Sequence, residues 1–309
     1  MAGAFWTSDF EFEGGRVKVR TTGADVALDR ALILDVLIWL TYYIPVRLKG
    51  FAASLTGSGP SIWFAPDRPR PWYLLWLAAC WSGVRFARTA AEADAAFYFE
   101  DSTFGQPPAC DHAIRLNFDC ADVSKTRVAK VFEDVFGYSL AIDPTVHAGP
   151  AVEKGEVNGA HDGRIVQCPT AALPGRVYQR VIDNSDGDQV VDLRTPCVGG
   201  APALTFVKRR PLRDRFANYN TTVALTEPQA HFSAGELAAI GRFCAAMKLD
   251  WGGLDILRDR TDGRLYIVDV NKTDMPPLRL PWTQKMRAVA ILSRALGDMV
   301  RNESARERG

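Results

Sequence analysis

Cysteine is scarce: the six in 309 residues (Cys80, Cys110, Cys120, Cys168, Cys197 and Cys244) form no CxxC pair. That scatter argues against a zinc site and against the disulfide framework of a small secreted domain, and it reads as reduced thiols in a cytoplasmic protein. An excess of one charge is missing too. Lys and Arg total 37 against 36 Asp and Glu, a net charge of +1, which leaves no electrostatic footprint for nucleic acid. Neither a Walker A loop nor a dinucleotide-binding glycine fingerprint occurs, and no internal repeat or low-complexity tract appears. Residues 1–15 do not combine a basic region, an apolar core and a cleavage site, so no secretory signal is expected. The one long apolar run, Ala31 to Val46, is shorter than the ~20 residues of a bilayer span and carries Asp35 and Pro45. A buried helix is expected there. Trp39, Tyr42 and Tyr43, followed by Arg47 and Lys49, leave peripheral membrane contact through residues 31–49 as the other reading.

The remaining composition, 47% hydrophobic and 24% charged, is that of a globular chain large enough for two or three packed units. Phe10 to Arg20 alternates around Gly14-Gly15 and reads as a hairpin. Beyond the apolar helix, Ser61 to Pro66, Val84 to Ala87 and Ala95 to Phe99 read as strands. The stretch from Trp72 to Trp81 and Thr89 to Ala93 read as helices between them. Such alternation predicts an α/β fold with a small parallel sheet, ending near residue 110. Glu100 and Asp101, at a strand's carboxyl end, suit either substrate contact or a capped, solvated loop. Val128, Val131, Phe132 and Val135 share one face of a helix from Thr126 to Phe136. Ser233 with Glu236 makes a capping box for a core helix reaching Met247, and Thr283 to Val300 reads as a last amphipathic helix.

The chemistry concentrates between Leu249 and Pro277. Two apolar runs, Gly252 to Leu257 and Leu265 to Val270, flank a polar segment with Asp262-Gly263, a hairpin signature. Alternation puts Asp269 and Asn271 on one face. A three-residue loop, Thr261 to Gly263, pairs Asp255 with Asp269 on that same face. Facing carboxylates repel, so a cation between them is expected; with the Asn271 carbonyl they are hard oxygen ligands of the kind Mg2+ accepts. A solvated hairpin, or an odd register that turns Asp255 away, is the alternative.

The pattern GGLDILRD, a turn, then GRLYIVDVNKT resembles the closing hairpin of the ATP-grasp ligases, the branch with glutathione synthetase and the ribosomal-protein glutamate ligases. It departs from them in having Asp269 where Glu is commoner and in Lys272-Thr273-Asp274 after Asn271. The resemblance spans Asp122 to Pro277. It implies an ATP-grasp fold behind a small parallel α/β domain: residues 1–110, then 111–309, divided at about 122–185 into a lid over ATP and 186–309 into a metal-binding part. It implies ATP and Mg2+ as cofactors, with two Mg2+ ions, and Asp255, Asp269 and Asn271 as metal ligands. Lys125, Lys154 and the loop glycine Gly159 would hold phosphate; Gln179, Arg180, Val181 and Ile182 would form the adenine hinge, with Asp183 on the ribose. Arg194, Lys208 and Arg209 would steady the transferring phosphoryl group, while Arg210, Arg213 and Arg215 read equally as surface ion pairs. His161 is a candidate proton carrier and Asn218 a loop residue near the acceptor. The implied reaction joins a small-molecule carboxylate to an amine through an acyl phosphate. A phosphotransferase and a non-catalytic nucleotide binder remain the other readings.

Overall fold

The structure, a computed structural model, describes residues 6–20, 23–57, 59–160, 162–217 and 219–306. It divides into two compact units: Met1–Asp101, Ala109–Arg115 and Thr273–Gly309 form the first, and Ser102–Pro108 with Leu116–Lys272 the second. The boundary expected near 110 therefore lies among short exchanges of chain between residues 101 and 116. The expected placement of 273–309 with the second unit is corrected, because the C-terminal helix Trp282–Arg306 belongs to the first.

In the first unit, β1 (Phe10–Glu13) and β2 (Arg16–Val19) pair antiparallel, and β3 (Asp25–Ala27) adds to β2. The connecting Gly14 and Gly15 both have positive φ, 57° and 74°, which the two-residue hairpin turn requires and only glycine adopts without strain. Helix α1 (Arg30–Thr56) is capped by Asp29, whose side chain accepts from the Leu32 N–H, and by Gly57 in the left-handed region. Then β4 (Ser61–Pro66), α2 (Leu74–Trp81), β5 (Arg85–Phe86) and β6 (Ala95–Phe99) form the expected parallel sheet, ordered β5-β4-β6 with β7 (Arg115–Leu116) at its edge. Thr89 to Ala93, expected as an α-helix, is a single 3-10 turn over Ala90–Glu92. The carboxylate of Asp101 is tied within its own unit, accepting from the Tyr73 hydroxyl at 2.8 Å and Thr273 Oγ1 at 2.6 Å.

The second unit opens with α3 (Lys125–Phe136), capped by Ser124 and ended by Gly137 at φ 77°. A three-stranded sheet follows, β8 (Gly149–Gly155), β9 (Arg164–Cys168) and β10 (Arg176–Arg180), ordered β10-β8-β9. The larger antiparallel sheet contains β11 (Ser185–Asp186), β12 (Gln189–Val198), β13 (Ala201–Pro202), β14 (Thr205–Pro211) and β15 (Thr222–Thr226). After α4 (Ala234–Met247) it is completed by β16 (Trp251–Arg258) and β17 (Leu265–Asn271), in the order β15-β14-β12-β16-β17. One core joins Val128 and Phe132 of α3, Ile240 and Phe243 of α4, and Leu254, Ile256, Ile267 and Val270 of the hairpin. The capping box at Ser233 and Glu236 is formed in full. Burial of this apolar face leaves the opposite face of β12, β14, β16 and β17 to carry polar side chains, as the period of two dictates.

Candidate functional site

The polar face of the large sheet carries an ordered row of charge. Arg194 on β12 pairs directly with Asp255 on β16, and Asp255 directly with Asp269 on β17. The two carboxylates thus stand side by side, with cations at both ends of the row. Arg194 Nη1 lies 2.6 Å from Asp255 Oδ2, Lys208 Nζ lies 3.9 Å from its Oδ1, and Lys125 Nζ donates to Asp269 Oδ1 at 2.8 Å. Burial alone would raise the Asp255 pKa; Arg194 and Lys208 outweigh it and hold the group at about 2.

The register that achieves this differs from the expected one. Arg258 pairs with Leu265, so six residues rather than three connect the strands, and from Ile256 to Arg258 the pairing is offset by one. Val268 is the extra residue of a bulge between the Asp255–Asp269 and Ile256–Ile267 pairs. The bulge restores Asp269 to the place opposite Asp255. Its carbonyl is also used, accepting from Lys154 Nζ at 3.1 Å.

Around the row lies a cavity of about 250 Å3. Its lining carries Lys125, Lys154, Arg180, Lys208, Arg210 and Arg215 against Asp162, Asp192, Asp255 and Asp269, six basic groups to four acidic. Such an excess, partly withdrawn from water, favours a polyanion. Burial pushes the Lys154 ammonium down to about 8 although Asp269 pulls it up, and burial lowers Lys208 as well. Over one side hangs the loop between β8 and β9. Its Asn158 donates through Nδ2 to the Val270 carbonyl at 2.8 Å, donates its N–H to Thr103 Oγ1 at 2.8 Å, and accepts from Lys125 Nζ. Gly159 has φ 76°, and a Cβ on Gly163 would meet the Phe216 ring at 3.0 Å. Glycine is thus required at one for its backbone and at the other for close approach.

On the opposite side Gln179 is buried, and its Nε2 has no hydrogen-bond partner among the described residues. A buried donor left in this way costs about 1–3 kcal/mol until an acceptor reaches it. Gln179, Arg180 and Ile182 line the cavity; Val181 does not. The Arg180 N–H is taken by the Leu140 carbonyl at 2.9 Å, and the Ile182 carbonyl accepts from Arg215 Nη2 at 2.8 Å.

The fold that carries this cavity recurs in a solved structure. The chain aligns with PsnB, an ATP-grasp ligase complexed with minimal precursor, at 12% identity over 78% of this chain and 99% of that chain, with a TM-score of 0.51. The chain has the ATP-grasp fold. Lower likeness, at TM-scores of 0.47 and 0.45, extends to the D-alanine–D-alanine ligase of Bacillus anthracis complexed with ATP (13% identity, 81% and 99% of the two chains) and to a RimK domain ATP-grasp protein of Sphaerobacter thermophilus DSM 20745 (14%, 78% and 99%). Against PsnB with a phosphomimetic precursor variant, Mg and ADP, the chain spans 62% of that chain, with 60% of its own length, 14% identity and a TM-score of 0.41. No protein-family model and no curated protein matches the sequence.

Placed on the ATP-grasp fold, most of the expected residues converge. Lys125, Lys154, Gly159, Gln179, Arg180, Ile182, Lys208, Asp255 and Asp269 line one cavity, and Arg194 reaches it through Asp255. Four do not. Arg209 is turned away and pairs with Asp186 at 2.6 Å on the exposed side, because successive strand residues alternate; Lys208 and Arg210 are the two that share the cavity face. Asp183 bends back to accept from Ser185 Oγ at 2.6 Å, which lowers its pKa and removes it from the lining. Asn271 follows Asp269 on the same face, opposite Gly253, but does not line the cavity, nor does Val181. His161 and Asn218 lie outside the described residues. Arg210 and Arg215, expected equally as surface ion pairs, line the cavity. Arg210 joins Asp192, which sits opposite Lys208, and also reaches Asn220 Oδ1 at 3.0 Å. Counting by twos from Lys208 identifies Arg210 in the sequence.

The donor set suits Mg2+ in kind, since Asp255 and Asp269 present adjacent hard oxygens. Among the described residues no group of three or more His, Cys, Asp and Glu side chains could hold a metal by itself. The two carboxylates would therefore hold an ion only together with Asn271, water or phosphate oxygens.

Proposed function

We propose that this protein is an ATP-dependent carboxylate–amine ligase. The observation that carries the reading is the directly paired Asp255 and Asp269 within a basic, glycine-flanked cavity on an ATP-grasp fold. Asp255 and Asp269, completed by Asn271, would hold Mg2+, which when bound neutralises and orients the triphosphate. Lys125 and Lys154 supply point charges to phosphate oxygens, a role in which their present contacts to Asp269 and the Val268 carbonyl are exchanged for the ligand. Gln179 Nε2 offers its unused donor to a purine nitrogen. Arg194, Lys208 and Arg210 sit where charge develops on the group in transfer; being fixed by Asp255 and Asp192, they need little reorganisation. In the overall sequence a substrate carboxylate takes the γ-phosphoryl group and releases ADP. An amine then attacks the acyl carbon, loses a proton and expels inorganic phosphate.

The test is ADP release from ATP and Mg2+ across a panel of carboxylic acids, each with and without amines. Release that produces an amide and requires both partners supports the proposal. A phosphorylated product without an amide, or nucleotide binding without turnover across the panel, overturns it.

A further inference from the structure

The first unit carries a surface that nucleotide chemistry does not use. Helix α1 was expected to be buried, and it is not. From Arg30 to Leu55 it is long and apolar enough to cross a membrane, yet only about a tenth of that apolar stretch is buried. The face that is covered is firmly held. Tyr42 and Val46 are completely buried, and the Tyr42 hydroxyl donates to the Pro277 carbonyl at 3.1 Å. Lys285 Nζ donates to Thr41 Oγ1 at 2.8 Å and lies 4.6 Å from the Tyr42 ring centroid. A Cβ on Gly50 would come within 2.3 Å of the Cys80 carbonyl oxygen, so α1 packs closely along α2 there. A helix anchored at Tyr42, Val46 and Gly50 cannot stand across a bilayer without dismantling its unit.

The other face is a stripe. Ile33, Leu37, Ile44, Leu48, Phe51 and Leu55 recur at helical spacing, and each is more than half exposed, up to 74% at Leu55. At 1.5 Å per residue the stripe runs roughly 33 Å, a longer continuous apolar surface than a soluble monomer ordinarily leaves open. Its rim has a particular chemistry. Along one side half-buried aromatic rings interlock: Trp39 stacks on Tyr43 with centroids 4.8 Å apart, Tyr43 on Trp76 at 5.7 Å, and Trp6 meets Trp39 edge-on at 5.6 Å. Exposed Arg30 and Arg47 flank the stripe with positive charge, and exposed Lys49 stands further round the axis. The helix's single carboxylate, Asp35, lies roughly 180° around the axis from the stripe.

We propose that the first unit docks on an anionic lipid surface, with α1 lying in the plane of the membrane and the Ile33–Leu55 stripe at the acyl boundary. Aliphatic residues at the centre, amphipathic Trp and Tyr rings at the edge and cations beside them are the composition that partitions into such an interface. Charge favours lipid over a second copy of the chain. Asp29 caps the helix beside Arg30, but α1 itself carries no carboxylate on the stripe's side to answer Arg47 and Lys49 of a second copy, whereas acidic headgroups answer them directly.

The full chain should co-sediment with vesicles of phosphatidylcholine containing about one quarter phosphatidylglycerol. The exposed pair Ile44→Glu with Leu48→Glu should weaken partitioning by about 100-fold. Arg47→Glu with Lys49→Glu should weaken it by about 30-fold on the anionic vesicles. Unchanged far-ultraviolet circular dichroism and melting establish that each variant is folded, as expected for side chains already in solvent. Failure of the parent to sediment, or sedimentation of the Ile44→Glu, Leu48→Glu variant equal to the parent's, overturns the proposal. A dimer in analytical ultracentrifugation that the same variant dissociates, with no vesicle binding by the parent, also overturns it and assigns the stripe to a second copy.

Discussion

Replacing Asp255 with Asn tests the charge row at its centre. In the native chain the carboxylate is clamped between Arg194 at 2.6 Å and Lys208 at 3.9 Å, with Asp269 directly across the ladder. Its pKa is held at about 2 against an ordinary 3.8, which corresponds to about 2 kcal/mol of stability at pH 7. Losing one member of a fully buried pair costs about 3–5 kcal/mol. The Asp255 side chain keeps 26% of its exposure and Arg194 keeps 11%, so the smaller figure applies. Because the folded-state pKa is the lower one, this stabilisation is present above pH 4 and fades as pH falls through 2. Urea denaturation should therefore find Asp255→Asn less stable by about 2 kcal/mol at pH 7 and by visibly less near pH 3. The variant also separates two effects on ligands. Without metal, Arg194 and Lys208 are released from their anion, so ADP should bind more tightly than to the native chain. With Mg2+ present, ATP turnover should fall at least about 100-fold. Intact Mg2+-dependent turnover, or weaker metal-free ADP binding, would refute the reasoning.

Three other outcomes are expected. Lys154, pushed down to about 8 by burial, is neutral above that pH in the free protein, whereas a bound phosphate favours the ammonium. Nucleotide affinity should hold below pH 8 and decline above it, with calorimetry at pH 8.5 in buffers of different ionisation enthalpy registering proton uptake that Lys154→Arg abolishes. Arg210→Ala should lose about 2–3 kcal/mol of stability, since its partner Asp192 is enclosed, and most of the turnover; Arg209→Ala, breaking an exposed pair, should cost under about 1 kcal/mol and leave turnover within a factor of two or three. Equal losses of turnover in the two variants would contradict the assignment of the cavity face. Gln179→Met should melt at or above the native temperature, because it removes a buried unpaired donor, while weakening ADP by about tenfold; a drop in melting temperature with unchanged ADP affinity would show that the amide serves the fold.

Local signals were legible because their physics is local. Ser124, Gly137 and the Ser233–Glu236 box mark helix ends through hydrogen bonds within one turn. The Asp255–Asp269 pair was also legible, but through two compensating errors. The loop is six residues rather than three, and the Val268 bulge shifts the register by the one position needed to bring the carboxylates together. A bulge leaves no periodic trace, since a single extra residue resembles ordinary composition. The Arg209 error is of another kind: the resemblance takes the adjacent Lys208 and Arg209 together, whereas alternation along β14 selects Lys208 and Arg210. Helix α1 shows what apolarity alone withholds, because a hydrophobic sequence states the cost of exposure and not which face a neighbour will cover. The same holds for the C-terminal helix, whose place in the first unit depends on packing across most of the chain's length.

The charge row itself is nonlocal in the strictest sense. Arg194, Asp255 and Asp269 come from three strands separated by 61 and 14 positions, and they align only because β12 lies between β14 and β16. Each residue alone, in its own segment, is an ordinary strand charge. Only the strand order makes them one electrostatic unit, with cations at both ends that a triphosphate and its metal can exchange for one another. That exchange would let a site hold two adjacent carboxylates stably before any ligand arrives. It also predicts that the double variant Arg194→Met with Lys208→Met will raise the Mg2+ affinity of the nucleotide-free protein, by leaving Asp255 uncompensated. Magnesium-induced stabilisation measured by thermal melting should increase in that variant; an unchanged or smaller shift would mean that the cations do not compete with the metal.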